Sequence, residues 1–179
     1  MVKKKDNMKK IILGLLFAML ISFFAPQKAG AAQVAGASAR LKTSLDKKDT
    51  RIEKLSFFLE ENNSPLTRFA GDFIKTADKY KLDWRLVAAI TGVESTFGKR
   101  IPQGSFNAYG WGNGKIYFES WSQSIEHVSS VLAEKYVAKG LDTPQKMASV
   151  YAPPSQTWGS KVNYFMEKID QTHSLSLTL

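Results

Sequence analysis

The 179-residue chain has no cysteine. No disulfide can brace it, no thiolate can act as nucleophile or metal ligand, and no lipidated cysteine can follow a leader peptide. Histidine is nearly missing too. His127 and His173 are the only two, and neither stands at a metal-building spacing, so no metal and no cofactor is expected. After residue 40 no Lys/Arg cluster is interleaved with aromatics, which argues against a nucleic-acid partner. There are no internal repeats. One gap is local: between Phe97 and Phe118 there is not a single Asp or Glu.

What is present begins with a basic segment. The first ten residues carry five lysines, an apolar run follows from Ile11 to Ala25, and Ala29-Gly30-Ala31 has small residues two apart. This order predicts a secretory signal peptide over 1–31, and with it an exported protein, extracellular or held at the cell wall. A retained membrane anchor is the other reading. Against it, a 15-residue run spans about 22 Å as a helix, short of a hydrocarbon core of ~30 Å. A membrane is expected as a partner only through an uncleaved segment of this kind. Residues 1–31 hold six lysines and one aspartate, +5 of the formal +9, so the remainder is only mildly basic at +4. Residues 32–47, rich in Ala, Ser, Gly and Lys, read as a linker, 48–172 as one folded domain and 173–179 as a tail. A monomer is expected.

Within the domain the apolar spacing is helical. Ile52, Leu55, Phe58 and Leu59 mark a first helix that stops at Asn62-Asn63. Ser64-Pro65 reads as a cap and first-turn proline for a second, with Leu66, Phe69, Phe73, Ile74, Ala77 and Tyr80 on one face. A third is predicted from Trp84 to Phe97, capped by Asp83 and closed by Gly98. Residues 98–118 change character, with five glycines and several aromatics, and predict a loop with a small β-hairpin near Ile116–Phe118. Ser120 and Gln123 form a possible capping box for a fourth helix that runs to Gly140. Thr143-Pro144 opens a fifth, broken after Tyr151, and Trp158 to Ile169 makes the last. The fold class is therefore mainly α, with one glycine- and aromatic-rich loop.

Glu94 interrupts the apolar face of the third helix, four residues after Ile90. A carboxylate there loses hydration, its pKa rises, and a neutral carboxyl is what general acid catalysis requires. A glutamate paired with an arginine, or one at the rim of the face, is the structural alternative. The segment Phe106-Asn107-Ala108-Tyr109-Gly110-Trp111-Gly112 supplies what a carbohydrate cleft needs: flat apolar rings, polar groups, and glycines that permit close backbone approach. Core packing is the alternative for its aromatics.

VESTFG at 93–98, FNAYGWG at 106–112 and VYAPP at 150–154, in that order, resemble the lysozyme-like superfamily. The pattern is similar to bacterial cell-wall endo-β-N-acetylglucosaminidases (of the mannosyl-glycoprotein endo-β-N-acetylglucosaminidase-like kind) and to soluble lytic transglycosylases. The resemblance covers residues 65–170. It implies a lysozyme-like fold and cleavage of peptidoglycan glycan strands. It also implies Glu94 as the acid, Ser95 as support for its loop, and Asn107 and Tyr109 as glycan-binding residues; Trp111, two residues on in the same loop, is expected to meet sugar rings beside Tyr109. Tyr151 would reach across the cleft with its hydroxyl toward Glu94. The glucosaminidases of this group are expected to carry a second carboxylate in the hairpin after the loop, and here the acid-free stretch interrupts the pattern. Glu119 is the first candidate, with a favourable charge at a helix start as its structural alternative. Substrate assistance by an N-acetyl group, or Glu94 acting first as acid and then as base, are the other routes. A catalytically silent glycan-binding module of the same fold is the alternative function.

Overall fold

The computed structural model describes residues 49–172, and the expected signal peptide, linker and tail lie outside the described residues. Among the described residues the domain is mainly helical and contains no strand. Six α-helices follow one another: α1 Thr50–Glu61, α2 Ala70–Tyr80, α3 Leu86–Ser95, α4 Trp121–Val131, α5 Pro144–Tyr151 and α6 Trp158–Gln171. No described helix is long and apolar enough to cross a membrane.

The helix ends follow local chemistry. Asp49 caps α1 by accepting from Arg51 N, Thr143 caps α5 with Pro144 in its first turn, and Ser120 Oγ accepts from Gln123 N at the start of α4. The reciprocal arm of that last cap lands one residue early, with Glu119 N donating to Gln123 Oε1 at 2.7 Å. Ser64 does turn the chain, since its Oγ accepts from Leu66 N, but a 3₁₀ turn at Thr67–Phe69 intervenes before α2. The expected fourth helix leaves α geometry after Val131, running as a π turn at Leu132–Tyr136 and a 3₁₀ turn at Val137–Lys139 before Gly140. The expected hairpin near Ile116–Phe118 is not formed. Phe118 N donates to Ser105 O at 2.9 Å, and the segment between them is held by a side chain, described below.

α3 lies at the centre. Leu86 through Thr91 are buried without a break, so the helix has no solvent face over that stretch. It packs mainly on α6 and also on α2 and α4, while α5 packs on α6. Leu55, Leu59, Phe73, Ile90, Ile125, Val128, Met147, Val162 and Ile169 fill the space between them, each fully buried.

The end of α3 is where the chain is most constrained. The helix closes at Ser95, and Thr96, Phe97 and Gly98 then take φ of +55°, +59° and +79°. Left-handed backbone costs a non-glycine residue about 1–2 kcal/mol, and a β-branched threonine is an outlier there. Several contacts over-determine the turn. Phe97 N donates to Thr91 O, Ser64 Oγ donates to Phe97 O, and Gly98 N donates to Ser95 Oγ. The Phe97 ring meets Phe58 and Phe165 edge-on at 5.3 and 4.9 Å. The turn fixes the last residues of α3 and thereby the direction of the Glu94 side chain.

Candidate active site

Glu94 sits in the last turn of α3, half-buried. Its Oε1 accepts a hydrogen bond from Trp158 Nε1 at 2.7 Å. Burial raises its pKa above the ordinary carboxylate value, and the indole N–H pulls in the opposite direction without cancelling the rise. Oε2 accepts no hydrogen bond among the described residues and faces the backbone of Gly110, where a Cβ would come within 3.3 Å of it. Gly110 has φ +66°, so both conformation and space call for glycine at this position.

Trp158 comes from the first turn of α6, and its ring stacks on Tyr151 at 4.6 Å with 24° between planes. Tyr151, the last residue of α5, is flanked by Trp111 at 5.8 Å and Tyr136 at 6.2 Å. These rings form one side of an opening, and a cavity of about 270 Å³ is lined by Gly110, Trp111, Asn113, Tyr136 and Tyr151. Burial and the neighbouring Glu94 carboxylate hold the Tyr151 phenol well above its usual range, so it stays a neutral donor. The expectation that this hydroxyl aims at Glu94 is corrected: it donates to Tyr109 O at 3.0 Å. Tyr151 is therefore beside the acid but engaged with the loop.

The loop residues also change roles. Asn107 is only 2% exposed, and its amide is spent on the loop itself. Nδ2 donates to Trp111 O and Ile116 O, each at 2.9 Å, and Oδ1 accepts from Trp111 N at 3.0 Å. It takes the place of the missing hairpin ladder and has no capacity left for a sugar. Tyr109 is 1% exposed and packs in the core beside Ser124, so its ring has no face to offer a substrate; it contributes its carbonyl, which receives Tyr151. Ser95 supports the loop as expected: its Oγ bonds Ala108 O at 2.8 Å, tying the end of α3 to the loop. Trp111 remains half-exposed at the opening, with its ring against Tyr151 and His127. Glu119 is exposed just before the cap of α4, and no described hydrogen bond or ion pair joins it to Glu94.

Three members of this arrangement are not visible as site residues in the sequence. Trp158 reads as one more inward residue of a helix, although a buried indole N–H needs an acceptor and that demand was a usable signal. Gly110 reads as one loop glycine among several. Tyr136 reads as the end of an apolar face, and nothing in that spacing shows the π turn at Leu132–Tyr136 that it closes. Among the described residues no three His, Cys, Asp or Glu side chains converge as ligands for a metal. The arrangement offers one protonatable carboxyl against Gly110, a glycine of the loop that lines a cavity walled by aromatic rings. Compared with family models and with curated proteins, the sequence matches none.

Proposed function

We propose that this protein cleaves glycosidic bonds in the glycan strands of peptidoglycan, on a lysozyme-like helical frame, with Glu94 as general acid. The observation that carries the reading is the Glu94 carboxyl itself: half-buried, raised in pKa, held by one indole N–H and set beside an aromatic-walled cavity. A carboxyl kept neutral near working pH can protonate the bridging oxygen as the C1–O bond breaks. Trp111 and Tyr151 supply flat faces for the C–H surfaces of pyranose rings. The spent amide of Asn107 and the buried ring of Tyr109 serve this function indirectly, by holding the loop against Glu94.

Endo-β-N-acetylglucosaminidase-like hydrolysis is the leading form of the reaction. With no acid from Phe97 to Phe118, and with Glu119 exposed before the cap of α4 and joined to Glu94 by no described contact, the substrate's acetamido oxygen is the better candidate for the group that attacks C1. Glu94, deprotonated by the first step, then takes a proton from the water that opens the resulting ring. The same observation favours a second form, the lytic transglycosylase reaction. There Glu94 accepts the proton of the muramoyl 6-hydroxyl, whose oxygen bonds to C1, and no water is consumed. The signal-peptide reading of residues 1–31 belongs to this proposal, because the substrate lies outside the cytoplasm.

Digestion of defined peptidoglycan, followed by mass spectrometry, tests both points. Reducing N-acetylglucosamine ends mean glucosaminidase action, anhydromuramoyl ends mean transglycosylation, and reducing muramic acid ends mean a muramidase. Glu94→Gln is expected to lose cleavage by about 10²-fold or more, the usual worth of a general acid. A folded wild-type protein that binds glycan and cuts none would identify a binding module instead.

A further inference from the structure

The cavity that shares Gly110 with Glu94 carries an amide that no other described residue uses. Its lining runs from Gly110, whose backbone faces Glu94 Oε2, to Asn113 and the rings of Trp111, Tyr136 and Tyr151, and it includes no charged side chain. The loop at its edge is a tight turn, in which Gly114 N donates to Gly110 O and Lys115 N to Gly112 O, each at 3.1 Å. Gly110, Gly112, Asn113 and Gly114 all have left-handed backbone, with φ of +66°, +61°, +55° and +76°. Three of the four are glycine, for which that region carries no steric cost. Position 113 alone keeps a side chain there, and asparagine is among the few residues that tolerate it. Asn113 is exposed, and its amide makes no hydrogen bond among the described residues. The contrast within the site is sharp. The Asn107 amide is consumed by the loop, and the Tyr151 hydroxyl by Tyr109 O.

We infer that Asn113 reads the acetamido group of an N-acetylglucosamine unit seated in this cavity. The inference deepens the glycan reading of the site and rests on it. An acetamido group presents one carbonyl acceptor, one N–H donor and one methyl. A side-chain amide offers the complementary donor and acceptor in one plane. The aromatic walls take the methyl and the C–H face of the ring, while the few polar groups of such a cavity fix its ligand's orientation. With no cation in the lining, the lactyl carboxylate of a muramoyl unit finds no partner, so the neutral sugar of the strand is the occupant. Asn113 is a specificity-determining residue, and the polar recognition expected of Asn107 falls six residues further along the same loop.

Titration calorimetry with triacetylchitotriose and with cellotriose, which has hydroxyls in place of the acetamido groups, provides the test. Glu94→Gln serves as the parent protein, so that no turnover disturbs the affinity. It is expected to bind triacetylchitotriose and to bind cellotriose about tenfold more weakly, the worth of one or two hydrogen bonds. Asn113→Gly in that parent removes the amide and relieves the left-handed backbone. It should weaken triacetylchitotriose binding about tenfold, leave cellotriose binding as it was, and keep or raise the melting temperature. An Asn113 that only shapes the loop would instead lower the melting temperature and weaken both sugars alike. Equal binding of the two sugars by the parent, binding of neither, or unchanged affinity in Asn113→Gly would overturn the inference. So would displacement of triacetylchitotriose by N-acetylmuramic acid at least as well as by N-acetylglucosamine. None of these results decides cleavage, which the peptidoglycan digest reads separately. Acetamido-dependent binding with no cleavage by wild type would keep the role of Asn113 and remove that of Glu94.

Discussion

The Glu94 carboxyl is subject to two opposed influences, and each has its own test. Burial favours the neutral form, and the Trp158 N–H favours the anion. Removing the N–H by Trp158→Phe keeps an aromatic ring against Tyr151 and takes away the influence that lowers the pKa. The pKa then rises further. A general acid works protonated and loses activity as pH climbs through its pKa, so the alkaline limb of kcat/KM should move to higher pH in Trp158→Phe. A limb that stays in place, or moves down, would show that the indole does not tune the acid. The raised pKa also has a stability consequence. A carboxyl that holds its proton more tightly when folded makes stability fall as pH rises from its unfolded value through its folded one. Glu94→Gln cannot ionise and still offers an amide oxygen to Trp158. Its melting temperature should exceed that of wild type at neutral pH, and the two should converge below the ordinary carboxylate range. Parallel melting curves at every pH would mean that Glu94 is not desolvated enough to matter.

At the scale of elements, the helices were legible in the sequence because apolar spacing, caps and breakers agree there. Asp49, Ser120 and Thr143-Pro144 sit at helix starts as their chemistry requires. The loop was legible only as a loop. A glycine- and aromatic-rich stretch is compatible with a hairpin, and nothing local reveals that Asn107 will use its amide on Trp111 and Ile116. Nor does local sequence distinguish Tyr109, which enters the core, from Trp111, which stays at the opening. Two residues apart on an irregular backbone need not share a side. Asn107→Ala separates the loop role from the glycan role. It deletes three well-formed hydrogen bonds at a buried position, each worth about 1 kcal/mol net, so a loss of about 2–3 kcal/mol is expected. For a domain of this size that lowers the melting temperature by roughly 10 °C. Activity should fall with the loosening of the loop. An unchanged melting temperature with a raised KM would instead return Asn107 to direct contact with sugar.

At the scale of the whole molecule, the site exists only where four distant segments meet: the end of α3, the loop around Gly110, the end of α5 with Tyr151 and the start of α6 with Trp158. Sequence order places none of these contacts, which is why Glu94 was legible as an anomaly on its helix while its partner Trp158 was not. The spacing of α5 and α6 is set by Gly159. A Cβ there would lie 2.9 Å from Gln145 Cα and 3.0 Å from both Gln145 N and Pro144 O, all backbone or backbone-bound atoms with no side-chain freedom to yield. In an isolated helix, alanine would be better than glycine by about 0.8–1.0 kcal/mol, so the sign of the Gly159→Ala effect is diagnostic. If the crossing is as tight as its geometry, the two helices must separate, and the Trp158 that begins α6 is carried away from Tyr151 and Glu94. Gly159→Ala should then lower the melting temperature, reduce kcat, and shift the alkaline limb upward as Trp158→Phe does, because both changes deprive Glu94 of its indole N–H. An alanine that raises the melting temperature and leaves the pH profile alone would show that the crossing is slack, and that Trp158 is held in place by its stacking on Tyr151 and not by the approach of the two backbones.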